Sequence, residues 1–126
     1  LYLIGHEINQ VTEDHSYVAA MMRAGELTEE QARNHPEKNV ITRAIGVAWE
    51  VKADFFEVDL KPGDKVMMCS DGLSNMIEDQ RLYDVISSNS VEDSVRILID
   101  EAKENGGYDN ITVIVIEPRI EEVNEC

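Results

Sequence analysis

Apolar residues recur along the chain in short runs of two different periods. Residues 2–4 and 8–12 lie on either side of Gly5-His6 and predict two strands joined as a hairpin. Tyr17, Val18, Met21 and Met22 form a stripe that predicts a helix over residues 15–24, capped by Asp14 or Ser16 and stopped by Gly25. Thr28-x-x-Gln31 is a capping-box pattern, so a second short helix is expected over 28–35, with Pro36 ending it. That helix carries Glu29, Glu30, Gln31, Arg33 and Asn34 and has little to bury, as expected of a weakly anchored surface element.

From residue 53 the period changes to two. Phe56, Val58 and Leu60 share one face of a predicted half-buried strand over 53–60, with Phe55, Glu57 and Asp59 opposite. Lys61-Pro62-Gly63-Asp64 reads as a hairpin turn into a strand over 65–70. Two helices follow. One spans 78–88 and buries Leu82, Val85 and Ile86; the other spans 91–104, opens at Ser90 and buries Val95, Leu98, Ile99 and Ala102. Gly106-Gly107 ends the second, and the β-branched run from Ile111 to Ile116 predicts a strand at the centre of a sheet. Beyond Pro118 the acidic residues 118–126 are expected to form a loose tail. Hairpin, helices, antiparallel strands, helix pair and strand in this order suit an α+β layered fold.

Charge narrows the functional classes. The 126 residues carry a formal net charge of -15, which argues against binding nucleic acid or an anionic membrane surface. No apolar run approaches the roughly 20 residues a membrane span needs. Cys69 lies in an apolar strand and reads as a small core residue, Cys126 closes the acidic stretch, and neither spacing suggests zinc or a disulfide framework. A reducing, cytoplasmic setting is expected.

The candidate chemistry lies where strands end. Val66-Met67-Met68-Cys69 runs into Ser70-Asp71-Gly72, so a buried strand delivers a carboxylate at its tip, followed by a turn suited to glycine. An aspartate there can hold a hard cation, or can simply hydrogen-bond its own turn. Gly106-Gly107-Tyr108-Asp109-Asn110 places a second aspartate where a loop enters a strand. Two carboxylates at neighbouring strand ends could flank one ion, which would relieve their mutual repulsion. A calcium-binding EF-hand is excluded, because no loop has its alternating acidic ligands and closing glutamate.

Cys69-Ser70-Asp71-Gly72-Leu73 and Gly107-Tyr108-Asp109-Asn110-Ile111-Thr112 resemble the last two signature motifs of the type-2C metal-dependent serine/threonine protein phosphatases, the PPM family. Val11-Thr12-Glu13-Asp14-His15-Ser16, the segment from Gly25 to Ala32, His35-Pro36-Glu37-Lys38-Asn39 with Thr42-Arg43-Ala44, and Leu60-Lys61-Pro62-Gly63-Asp64 resemble further motifs in that family's order. The likeness is greatest to the compact bacterial members and runs from residue 1 to about 117.

The resemblance implies part of a four-layer α-β-β-α sandwich with antiparallel sheets. It implies dephosphorylation of phosphoserine and phosphothreonine proteins, possible substrates of a bacterial Ser/Thr kinase, by a water activated on Mn2+ or Mg2+. Asp71 and Asp109 would be metal ligands, with Ser70, Gly72 and Asn110 supporting them. Residues 25–46 would form a flap, where His35, Asn39 and Arg43 could meet substrate. For Arg43 the residues alone leave open a simple ion pair with a carboxylate, and for His15 a structural or supporting role is favoured over ligation. No residue of this chain is implied as a covalent nucleophile.

The motifs of the family's first half, an upstream metal-bridging Asp-Gly and a phosphate-gripping arginine, have no counterpart, since Asp71-Gly72 is the only Asp-Gly. The chain therefore resembles a C-terminal half, expected to be inactive alone and, with sheet surface uncovered, to self-associate. The alternative is a non-catalytic, phosphatase-like interaction module.

Overall fold

The computed structural model describes residues 1–119. The strands are β1 (Tyr2–Ile4), β2 (Ile8–Gln10), β3 (Lys65–Cys69) and β4 (Val113–Ile116), and the helices are α1 (Tyr17–Arg23), α2 (Glu29–Arg33), α3 (Asp71–Ser74), α4 (Asp79–Ser88) and α5 (Val91–Glu104). They fall into two compact units: Leu1–Val11 with the chain from Val58 onward, and Thr12–Glu57.

The first unit is built on one antiparallel sheet, ordered β2-β1-β3-β4. The pleat sends Tyr2, Ile4 and Met67 to one face, where they join Leu73, Ile77, Leu82, Val85, Ile86, Leu98 and Ala102 from α3, α4, α5 and the connection between them. Met67, Leu82, Ile86 and Leu98 are fully buried, and each contributes about 1.5–3 kcal/mol by leaving water. The expected α+β class with antiparallel strands holds. The caps are also as the sequence implies: the Ser90 hydroxyl accepts from the Asp93 amide at 3.1 Å, and Asn105 follows α5 before Gly106 and Gly107 turn the chain at φ 136° and 57°.

Lys65 is the one charged side chain buried among the described residues, and its surroundings satisfy it. Its Nζ donates to the carbonyls of Ile86 (2.9 Å) and Asn89 (2.8 Å), while Asn89 Nδ2 donates to Val85 O at 2.7 Å. A cation thus meets the carbonyl end of α4, where the helix dipole favours it. Charge-assisted bonds of this kind contribute about 1.5–3 kcal/mol each and offset part of the cost of burying the ammonium.

Four expectations need correction. Residues 53–60 form no strand, and Phe55, Phe56 and Val58 remain exposed, Phe55 at 92%. Alternation becomes a strand only when a ladder partner and a core face are supplied, and β3 already has β1 and β4 on its two sides. The 61–64 turn forms all the same, with Asp64 N donating to Lys61 O at 3.0 Å, Lys61 N donating to Asp64 Oδ2 at 2.9 Å and Gly63 at φ 89°, but it introduces β3 without closing a hairpin. The last strand is at the sheet's edge instead of its centre, with Ile114 and Ile116 50% and 42% exposed on the face away from the helices. Finally, α5 is rotated from the expected stripe: Ser94, Leu98 and Ala102 are buried, and Val95 and Ile99 are half-buried. Ser94 is accommodated because its hydroxyl donates to Val85 O at 3.4 Å.

In the second unit, Ser16 caps α1 by accepting from the Ala19 amide at 3.2 Å, and Gly25 leaves the helix at φ 76°. Val18 is buried, whereas Tyr17 and Met22 of the expected stripe are 40% and 37% exposed. The capping box forms as expected, with Gln31 N to Thr28 Oγ1 at 3.2 Å and Thr28 N to Gln31 Oε1 at 2.9 Å. Among the described residues no helix is long and apolar enough to cross a membrane.

Candidate metal centre

β3 delivers Ser70 to the N-cap of α3, and Asp71 opens that helix with its side chain exposed. Ser70 makes no side-chain cap to its own helix. Its hydroxyl instead donates to Asn110 O at 2.9 Å and accepts from Thr112 N at 3.0 Å, while its amide donates to Thr112 O at 3.0 Å. These three bonds stitch the loop over residues 107–112 to the end of β3, one step beyond the Cys69–Val113 pair of the sheet. The loop carries Asp109, whose Oδ1 accepts from the Asn110 amide at 2.7 Å. The structure therefore brings Asp71 and Asp109 to adjoining segments at one end of the sheet.

Gly72 explains how closely the two segments approach. A Cβ at this position would stand 2.1 Å from Asn110 O, 2.8 Å from Asn110 C and 3.4 Å from Asp109 C. The sequence suggests a glycine-dependent turn, but Gly72 has no left-handed φ and belongs to α3. What requires glycine here is contact between backbones. Ser70, Gly72 and Asn110 thus all lie at the contact between the two acidic segments.

Oxygen donors of this type suit a hard divalent cation that keeps much of its water. The fit is partial: among the described residues no group of three or more His, Cys, Asp or Glu side chains gathers into a metal site. Cys69 is half-buried and packed against the core, and Cys126 lies outside the described residues, as does most of the expected tail.

The remaining candidates belong to the second unit. His35 is turned into local contacts: its Nδ1 accepts from the Glu37 amide at 3.1 Å, and its ring lies 6.1 Å from that of Tyr17. Asn39 is exposed. Arg43 is engaged, with Nη1 donating to Asp54 Oδ1 at 3.0 Å and to Lys52 O at 3.2 Å. The second Asp54 oxygen meets His15 Nε2 at 2.6 Å. Hydrogen bonds from Arg43 and then His15 hold the Asp54 carboxyl below the ordinary carboxylate range. Asp54 was not singled out from the sequence. Reading 53–60 as a strand gave Asp54 no partner and no role, although an arginine available for a carboxylate partner was itself a signal.

Residues 3–119 match the family described as Stage II sporulation protein E (SpoIIE). The chain belongs to the SpoIIE/type-2C phosphatase family. Within this family it is 40% identical over 118 residues to the serine/threonine phosphatase Stp of Listeria monocytogenes, covering 92% of this chain and 47% of that protein. It superimposes on the Mycobacterium tuberculosis serine/threonine phosphatase PstP with a TM-score of 0.83 and 34% identity, over 90% of this chain and 48% of the other. A structure of the PstP catalytic domain in complex with two manganese ions matches at a TM-score of 0.79 and 32% identity, again over 90% of this chain and 47% of the other. The chain spans about half the length of the type-2C relatives it matches. Its sheet and helices are part of the α-β-β-α sandwich of these phosphatases.

Proposed function

We propose that the gene product is a metal-dependent phosphatase of phosphoserine and phosphothreonine proteins, including substrates of a bacterial Ser/Thr kinase, and that it works in the cytoplasm. Residues 1–117 form the C-terminal portion of its catalytic domain, with a flap-like segment over 25–46 and an acidic tail from 118. The observation that carries this reading is the stitched junction at Ser70, which joins the segments that carry Asp71 and Asp109. Both carboxylates would hold Mn2+ or Mg2+, an assignment supported by the manganese in the PstP structure. Such an ion supplies charge neutralisation for a phosphoryl group and lowers the pKa of water. Asp71 and Asp109 would bind and orient it, on segments that the close backbone approach at Gly72 keeps together.

Two carboxylates complete only part of a two-ion site, so the isolated chain should hydrolyse a phosphothreonine peptide or p-nitrophenyl phosphate at near-background rates in millimolar manganese. The full-length gene product should turn both over. Positioning and charge stabilisation dominate phosphoryl-transfer catalysis, so the gap should reach several powers of ten. Robust turnover by the isolated chain would show that the site is made from other residues. No turnover by the full-length product, with protein binding retained, would favour the interaction-module alternative.

The sheet face away from the helices presents Met68, Ile114 and Ile116, with β4 at an open edge. Such a surface should drive self-association of this chain, opposed by its charge of -15. Light scattering across protein concentrations should show growing mass; a concentration-independent monomer would refute the expectation.

A further inference from the structure

The C-terminal end of α5 carries a reactive pair that the metal chemistry does not use. Among the asparagines of the chain only Asn105 is followed by a glycine. In such a pair the Gly106 amide nitrogen can attack the Asn105 side-chain carbonyl carbon, because no side chain on glycine shields it. The fold dictates glycine here: at φ 136° a Cβ on Gly106 would stand 2.4 Å from Tyr108 Cε2. The same fold holds the reaction back. The planar five-membered ring forms only when the Gly106 nitrogen eclipses the Asn105 Cα–Cβ bond. As the cap of α5, Asn105 has ψ 3°, which turns that nitrogen toward the backbone nitrogen of Asn105 instead. Three hydrogen bonds keep it there. Asn105 Nδ2 donates to Met76 O at 2.9 Å, Gly106 N to Lys103 O at 3.2 Å and Gly107 N to Ala102 O at 3.1 Å.

We infer that Asn105 is a self-modifying site: when the α5 cap opens it converts to aspartate and isoaspartate, and so releases the tie between α5 and the Met76 carbonyl. Opening frees the Gly106 amide, which loses its proton to solvent base. Its nitrogen bonds to Asn105 Cγ, the Cγ–Nδ2 bond breaks, and Nδ2 leaves as ammonia. Water then adds to either carbonyl of the cyclic imide, giving aspartate or, with the chain rerouted through Cγ, isoaspartate. The ionised product cannot donate to Met76 O. It also puts negative charge at the carbonyl end of a helix, where the dipole disfavours it. Met76 follows α3, which opens at Asp71, and Asn105 leads into the loop that carries Asp109. Each conversion thus removes one link between the two acidic segments and leaves the Ser70 bonds.

Peptide mass spectrometry on the full-length gene product, held at mildly alkaline pH, tests the site and its gate. In urea Asn105 should convert about tenfold faster than Asn89, which precedes Ser90, or Asn110, which precedes Ile111. In native buffer Asn105 should convert about tenfold more slowly than in urea, or slower still, because the cap must first open. Gly107→Ala leaves the reactive pair intact and strains the cap, since Gly107 sits at φ 57° with only ordinary contacts around it. It should speed native conversion by about tenfold and leave the urea rate unchanged. Asn105 converting no faster than Asn89 and Asn110 in urea would overturn the site. Equal rates in the two solvents, or no acceleration in Gly107→Ala, would overturn the gate.

Amide hydrogen exchange tests the release. Asn105→Asp, which installs the product directly, should speed exchange at the Gly107 amide by about tenfold, while the Ser94 amide at the other end of α5 keeps its rate. Unchanged exchange at Gly107, or an equal rise at Ser94, would overturn the release.

Discussion

Replacing Gly72 by alanine should loosen the junction between the Asp71 and Asp109 segments and lower the stability of the sheet unit by about 3 kcal/mol, at the upper end of overpacking costs. The new Cβ would sit 2.1 Å from Asn110 O and 2.8 Å from Asn110 C. Both are backbone atoms, and the same stretch is held to β3 by the Ser70 hydroxyl and amide, so no flexible side-chain end can move aside. A thermal melt followed by circular dichroism should fall by ten degrees or more, since about 1 kcal/mol moves a small domain's midpoint by about 4–8 °C. Gly25→Ala is the internal control. Gly25 has φ 76° but open space around it, so alanine there costs only its backbone strain, about 1–2 kcal/mol. Equal effects at the two glycines would show that close approach is not what Gly72 provides.

Asp71→Asn and Asp109→Asn should each lower kcat/KM of the full-length gene product by about 10²–10³-fold, the scale of losing one charge-stabilising group from a phosphoryl-transfer site. Both carboxylates are exposed and neither belongs to the core, so the melting midpoint should barely move. Asparagine keeps an oxygen but not the charge, so raising manganese should recover part of the activity. Recovery with metal separates a weakened ligand from a misfolded protein. Wild-type activity in both variants would remove these residues from the site.

The local signals of the sequence were reliable where one short-range interaction decides the outcome. Ser16, Thr28 with Gln31, and Ser90 cap their helices because each hydroxyl needs only an amide three residues ahead. The Asp-Gly and Asp-Asn motifs were legible as a pair of strand ends, and the structure joins them through Ser70. What was not legible depends on tertiary partners. Residues 53–60 alternate like a strand, yet no neighbouring strand receives them in the described sheet. The run at 111–116 is equally compatible with a central or an edge position, because β-branching reports a pleated surface without saying how many neighbours it has. Ser94 displaced Val95 from the core because a carbonyl of α4 could accept its hydroxyl, which no periodicity reveals. Asp54 was missed for a related reason: its importance comes from residues 11 and 39 positions away in the chain.

The central claim is that Asp71 and Asp109 share one divalent ion, and manganese titrated into this chain under amide NMR tests it most directly. Paramagnetic broadening falls off steeply with distance, so it maps the ion without any need for activity. The account predicts that the first amides lost at substoichiometric manganese are those around residues 70–73 and 109–110, and that Asp71→Asn and Asp109→Asn each abolish the effect at both segments. Broadening at only one segment, or at the acidic start of α5 around Glu92 and Asp93 with no change in either variant, would contradict it.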